Sequence, residues 1–260
     1  MKTKDEEKYK ICPKVDESFS AYEMLEPFVK DYFELQLLRG NTNLAECLEK
    51  TKATKVIVHS PGTCYDLCHI IRSKEEKEMT EKYLEQCAAS DKEIQYLFHC
   101  GWSGLDVQNI EIINFLEEMY TKYKVPMLLE NTIKIGAYDR AVYVVNYLAN
   151  KDIGVCLDMS HVRAMMNQGL GYLDYYKGIQ NCKHIHMSYS SYGDGFGDMT
   201  THGVRHPSDE TMIADVKILK ALNIVGVSMC PEVMEIDNIY TTRAEQVIEM
   251  ESYIRLDIAE

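Results

Sequence analysis

Six short apolar runs in this sequence each lead to a side chain that binds metal or moves protons. Val56-Ile57-Val58 leads to His59, Tyr96-Leu97-Phe98 to His99, and Met127-Leu128-Leu129 to Glu130. Val155-Cys156-Leu157 leads to Asp158, His184-Ile185 to His186, and Met229-Cys230-Pro231 to Glu232. Taken singly, such a histidine is most often a satisfied core or rim residue, and such an acid a salt-bridge partner. Six in succession are a different matter. Carboxylates and imidazoles gathered in one buried place need a compensating charge, because burying an unpaired carboxylate is strongly unfavourable. No matching set of Lys or Arg stands at these run ends. Divalent ions supply that charge, and carboxylate with neutral imidazole is a donor set for zinc, manganese or iron.

Two further histidines join the candidates. His161 lies three residues past Asp158, and His202 lies in the glycine-rich stretch Gly193 to Gly203. One zinc takes about four protein ligands, so eight candidates imply two or three ions. His184 shares a strand face with His186 and reads as lying one layer deeper. His206, before Pro207, reads as exposed, and His69 as no ligand. Cys64 and Cys68 read as packed small residues ahead of a zinc pair. The Gly193–Gly197 segment lacks the lysine and the strand-turn-helix context of a phosphate loop, so it reads as a flexible lid. No G-x-S-x-G nucleophile motif is present.

The elements that must position these residues alternate along the chain. The composition predicts strands at Tyr9–Val15, Tyr32–Leu37, Lys55–His59, Ile94–His99, Pro126–Glu130, Gly154–Asp158, His184–Ser188 and Val225–Glu232. Amphipathic helices are expected over 74–92, 106–124, 137–149, 208–222 and 242–256, the last opened by a capping box at Thr242 to Glu245. About eight strand-helix units predict an α/β fold, a (β/α)8 TIM barrel spanning residues 1–260 as a single domain. There the carboxyl ends of the strands converge on one face. The first strand is the weakest signal, since it carries Ile11-Cys12-Pro13. A doubly wound open sheet is the alternative, and no glycine-rich fingerprint follows the first strand to support it.

The chain has 260 residues, 46% of them hydrophobic and 27% charged, which suits one such domain. No apolar run is long enough to span a bilayer, and no signal-peptide pattern follows Met1. The nine cysteines read as reduced thiols, so a cytoplasmic protein with no membrane partner is expected. The formal net charge of −13 weighs against a grip on long duplex DNA and favours a small substrate, or one held mainly by metal.

The ordered series His59, His99, Glu130-Asn131-Thr132, Asp158-x-x-His161, His186, His202 and Glu232 resembles the endonuclease IV family (AP endonuclease family 2), within the xylose isomerase-like TIM barrels. The resemblance runs from the third strand to the end. It is most specific at Leu129-Glu130-Asn131-Thr132 and at Leu157-Asp158-Met159-Ser160-His161. It implies a three-zinc cluster that cleaves phosphodiesters at abasic sites. By that resemblance His59 and His99 would hold one zinc with Glu130 as a bridge. Glu130, Asp158, His186 and Glu232 would hold the second, and His161 with His202 the third. The chain also departs from the family. Met187-Ser188-Tyr189 follows the seventh-strand histidine in place of Asn-Asp. Thr200 stands where an Asp would precede His202, the nearest acid being Asp198. Gly62 replaces a DNA-opening Tyr, and the segment Arg39 to Asn43 is short. The metal site is kept better than the nucleic-acid surface.

Two functions follow. The first is a metal-dependent phosphoester or phosphodiester hydrolase. Its substrate would be a phosphorylated small molecule or a nucleic acid, with Glu130 or Glu232 orienting the nucleophile. The alternative is a single-metal sugar isomerase or epimerase on Glu130, Asp158, His186 and Glu232, with Glu130 and Glu232 as the acid/base pair. A degenerate binding barrel would show eroded ligands, and little erosion is seen.

Overall fold

The computed structural model describes residues 10–16, 22–38, 44–61, 66–100, 106–131, 135–148, 151–159, 161–162, 179, 181–187, 215, 217–224 and 227–231. The strands are β1 (Lys10–Ile11), β2 (Lys14–Asp16), β3 (Tyr32–Gln36), β4 (Lys55–His59), β5 (Glu93–His99), β6 (Met127–Glu130), β7 (Ile153–Asp158), β8 (Cys182–Met187) and β9 (Ser228–Pro231). All are parallel, in the order β1-β9-β8-β7-β6-β5-β4-β3-β2.

The two ends of that order are halves of one strand. Lys10 and Ile11 pair with Ser228 and Met229, whereas Lys14 to Asp16 pair with Glu34 to Gln36. Between the halves Cys12 N–H donates to Met229 O, and Pro13 O accepts from Glu34 N–H. Pro13 has no N–H of its own to give, which interrupts the strand without opening it. The sheet therefore closes into the eight-stranded α/β TIM barrel that the alternation predicts.

Helices α2 (Leu44–Lys50), α3 (Leu67–Arg72), α4 (Lys74–Ala89), α5 (Asn109–Tyr123) and α6 (Ile135–Tyr147) follow their strands, after a single turn α1 (Tyr22–Leu25). Helix α4 starts on Ser73, whose hydroxyl accepts from Glu76 N–H, and it buries Thr80, Tyr83, Leu84 and Cys87. Helix α5 starts on Gln108, whose N–H donates to the Glu111 carboxylate. Arg72 grips that same carboxylate with both terminal guanidinium nitrogens, tying α3 to α5. The expected helix over 208–222 is described from 217 to 221, and the one over 242–256 lies outside the described residues. Among the described residues no helix is long and apolar enough to cross a membrane.

Strand pleating divides the core in two. Val56, Val58, Tyr96, Phe98, Met127, Leu129, Val155, Leu157, Ile185 and Met229 face outward into the layer shared with the helices. The alternate positions Cys12, Ile57, Leu97, Leu128, Cys156 and Cys230 form a separate cluster inside the barrel. His59, His99, Glu130, Asp158 and His186 are two residues further along the inward phase of β4 to β8, so they face the lumen.

The inward phase of β8 depends on a bulge. Val155 pairs with Cys182 but Cys156 pairs with His184, so Lys183 is an extra residue. Were Lys183 paired in register instead of bulged, His184 would stand opposite outward-facing Leu157. Gly154 permits the close approach there, because a Cβ would meet Lys183 Cγ at 2.9 Å and Asn181 O at 3.0 Å.

Candidate metal centre

Glu130 is the hub of the site. Its Oε2 lies 3.2 Å from His59 Nε2 and 3.4 Å from His99 Nε2. Its Oε1 lies 3.5 Å from His186 Nδ1 and 3.6 Å from His161 Nδ1. Asp158 Oδ2 is 3.6 Å from His161 Nδ1. Six of the eight residues singled out by spacing thus converge in one buried place. His202 and Glu232 lie outside the described residues, as do Asp198 and the Gly193–Gly197 segment. His99 and His161 are the most accessible of the six, at 6% and 8% exposed, which places the mouth of the site on their side.

Local bonds fix each ring. His59 Nδ1 is 3.0 Å from the Ser60 carbonyl oxygen, and His161 Nδ1 is 2.8 Å from that of Asn131. A carbonyl oxygen only accepts, so both rings carry a proton on Nδ1, and a neutral His59 then has its Nε2 lone pair turned to Glu130. Asp158 is held in turn. Its N–H donates to Asn131 Oδ1 at 2.7 Å, its carbonyl accepts from Asn131 Nδ2 at 3.1 Å, and its Oδ1 accepts from His161 N–H at 2.9 Å. One buried amide therefore joins the ends of β6 and β7.

The donor chemistry fits divalent metal. His59 Nε2 stands 3.2 Å from Glu130 Oε2, so either a proton or a metal ion must lie between them. Three groups of ligand atoms lie within 4.8 Å of one another here: His59, His99 and Glu130; Glu130, Asp158 and His161; and Glu130, Cys156 and His186. Burial pushes the Glu130 carboxyl up, but the charges of His99 and His186 and the hydrogen bonds of His186 and His59 outweigh it. Its pKa is held well below the ordinary carboxylate range. Burial pushes the Cys12, Cys156 and Cys230 thiols up, which keeps them protonated in the lumen.

Two charged lumen residues do not stand at strand ends of the apolar-run type. Glu34, in the middle of β3, and Lys14, on β2, are fully buried and paired at 2.9 Å. The other Glu34 oxygen meets His184 Nε2 at 2.8 Å and His186 Nε2 at 3.1 Å. Burial raises the Glu34 carboxyl, but His186, Lys14 and the two imidazole hydrogen bonds hold it well below its ordinary range. His184 does lie a layer below the hub, and its Nδ1 is 2.7 Å from Ser228 Oγ. Elsewhere, Cys68 Sγ accepts from Arg140 at 3.1 Å, and its expected neighbour Cys64 lies outside the described residues.

No protein-family model matches the chain, and no curated protein matches it in sequence. Solved structures match it in fold. A xylose isomerase domain protein from Planctomyces limnophilus superposes with a TM-score of 0.64 at 10% identity, over 97% of this chain and 99% of that one. A D-tagatose 3-epimerase-like protein gives 0.60 at 15% identity, over 95% and 97%. An IolI protein with a zinc atom gives 0.59 at 15% identity, over 96% and 97%. At such identities the likeness speaks for architecture alone, the α/β TIM barrel that these structures share with this chain.

Proposed function

We propose that the mouth of this barrel holds two or three divalent ions, zinc first among them, and that the protein is a hydrolase of phosphoesters. The observation that carries this reading is the division of labour on Glu130. His59 and His99 address one of its oxygens, while His161 and His186 address the other. A four-residue site for one ion, made of Glu130, Asp158, His186 and Glu232, would leave His59, His99 and His161 without a task. A carboxylate shared between two sets of histidines is a bridge.

In this reading His59 and His99 with Glu130 hold one ion. Glu130, Asp158, His186 and Glu232 hold another, and His161 with His202 supports a third. Such ions polarise a phosphoryl oxygen and make water a nucleophile at neutral pH. The chain supplies the rest. Backbone carbonyls lock His59 and His161, Asn131 fixes Asp158, and the apolar cluster at Ile57, Leu97 and Leu128 closes the floor against water. Glu130 or Glu232 orients the attacking water. Three divalent ions outweigh three carboxylates, so an anionic substrate is attracted although the whole chain carries −13. That global charge favours a phosphorylated small molecule over duplex DNA.

The test joins metal counting to a mutation. Elemental analysis with anomalous scattering should find at least two ions per chain. His99→Ala should lose nearly all activity towards an abasic-site oligonucleotide or small phosphomonoesters. A single ion bound by Glu130, Asp158, His186 and Glu232, with His99→Ala largely active on sugars, would replace this reading. The protein would then be a sugar isomerase or epimerase using Glu130 and Glu232 as its acid/base pair.

A further inference from the structure

His186 turns its second nitrogen to a side-chain carboxylate. Its Nδ1 faces Glu130 Oε1 at 3.5 Å and its Nε2 meets Glu34 Oε2 at 3.1 Å. His184 Nε2 meets the same oxygen at 2.8 Å, and Ser228 Oγ stands 2.7 Å from His184 Nδ1. Lys14 takes the remaining Glu34 oxygen. All four charged or imidazole side chains are sealed from solvent. A carboxylate only accepts, so both imidazoles must donate from Nε2; a neutral His184 then accepts at Nδ1 from the Ser228 hydroxyl, which also lies 3.5 Å from the Lys183 carbonyl oxygen. Both imidazole Nε2–H groups thus have the same acceptor, Glu34 Oε2.

We infer that Glu34 is a positioning residue for the metal centre: by accepting the His186 Nε2 proton from below, it turns the Nδ1 lone pair up towards the ion. The inference rests on the metal reading above. His59 reaches the same end by the opposite nitrogen, donating Nδ1–H to the Ser60 carbonyl and turning Nε2 to Glu130. Carboxylate behind imidazole behind metal is a recurrent arrangement, and losing the carboxylate commonly weakens metal binding about 10- to 100-fold. The competing assignment is a second ion at Glu34, His184, His186 and Cys230, whose ligand atoms also lie within 4.8 Å of one another. Lys14 argues against it. The ammonium already neutralises Glu34, so even with Cys230 bound as a thiolate a divalent ion would leave one unmatched charge in a sealed cavity.

Zinc binding to the full chain tests this, measured by competition with a chromophoric chelator, beside nitrogen NMR of histidine-labelled protein. Zinc-loaded wild type should show His186 protonated on Nε2 and bound through Nδ1; coordination through Nε2 would overturn the inference without any variant. Glu34→Gln should lose about 10- to 100-fold in zinc affinity and should scramble the His186 tautomer. Glu34→Asp should recover part of both. Lys14→Met/Glu34→Gln, which spares the new amide a buried cation, should repeat the loss if the single variant is unstable. A lowered melting temperature with unchanged zinc affinity and tautomer would make Glu34 structural only. A cobalt–thiolate charge-transfer band in wild type, absent from Cys230→Ser, would place an ion in the lower layer and overturn the proposal. Wild type that binds no zinc would instead remove the metal reading itself.

Discussion

The side chains at this site are set by what stands behind them. His59 and His161 each lean on a main-chain carbonyl, and Asp158 leans on Asn131 through its own backbone. Glu130 has no such support among the described residues. Its contacts are the four histidines, two to each oxygen, so its charge is balanced by whatever cation, proton or metal, those imidazoles hold against it. Glu130→Gln is therefore the sharpest change at this scale. The amide keeps the shape but points two N–H groups at lone pairs on one side. It should reduce bound zinc by at least one ion per chain and lower activity by about a thousandfold, a scale typical of removing a preorganised electrostatic group. Elemental analysis beside steady-state rates checks both. Unchanged stoichiometry in a folded variant would show that Glu130 bridges nothing.

At the scale of elements, a strand delivers its last residue to the lumen only if its phase and its register are both right. Phase was legible. The run Val56-Ile57-Val58-His59 and its five counterparts announce buried strands with one chemical residue at the end, and five of the six fall in described strands facing the lumen. Glu34 and Lys14 were not legible. Phe33-Glu34-Leu35 and Lys14-Val15-Asp16 alternate apolar with charged, the pattern of a strand with one wet face, and only barrel closure makes the charged face the lumen. The bulge at Lys183 and the amide link at Asn131 are tertiary facts with no local pattern. The short helices α2 and α3 carry too few turns for a periodic signal. Asn131→Ala should show what the link is worth. It strands the buried Asp158 N–H and removes a second hydrogen bond, so it should cost about 2–3 kcal/mol of stability. It should also weaken zinc binding, because the ends of β6 and β7 lose their tie. Chemical denaturation of the metal-free variant isolates the first effect, and chelator competition the second. A stability loss with wild-type zinc affinity would mean that the strand ends hold Asp158 unaided.

The whole barrel is closed by a strand broken at Pro13, and a charged layer sits at that seam. Lys14 belongs to the broken strand, Glu34 to its neighbour β3, His184 to β8 and Ser228 to β9, so one hydrogen-bonded network spans the join. Above it, the imidazoles and carboxylates of the hub are assembled by folding and have no common partner in the unfolded chain. Metal that binds the folded barrel alone must then stabilise the whole molecule. At a thousandfold excess over the dissociation constant, one ion contributes roughly 4 kcal/mol. For a domain of this size that is roughly 10 °C in melting temperature. Stripping the protein with a chelator should lower the melting temperature by about that much per ion, and zinc should restore it. His99→Ala separates the two readings of the site. If His99 serves its own ion, the variant should recover only part of the rise, because one site remains. If the barrel holds a single ion at Glu130, Asp158, His186 and Glu232, His99 is a bystander, and the full rise should return. Calorimetry with and without zinc, on wild type and variant side by side, decides between them independently of any substrate.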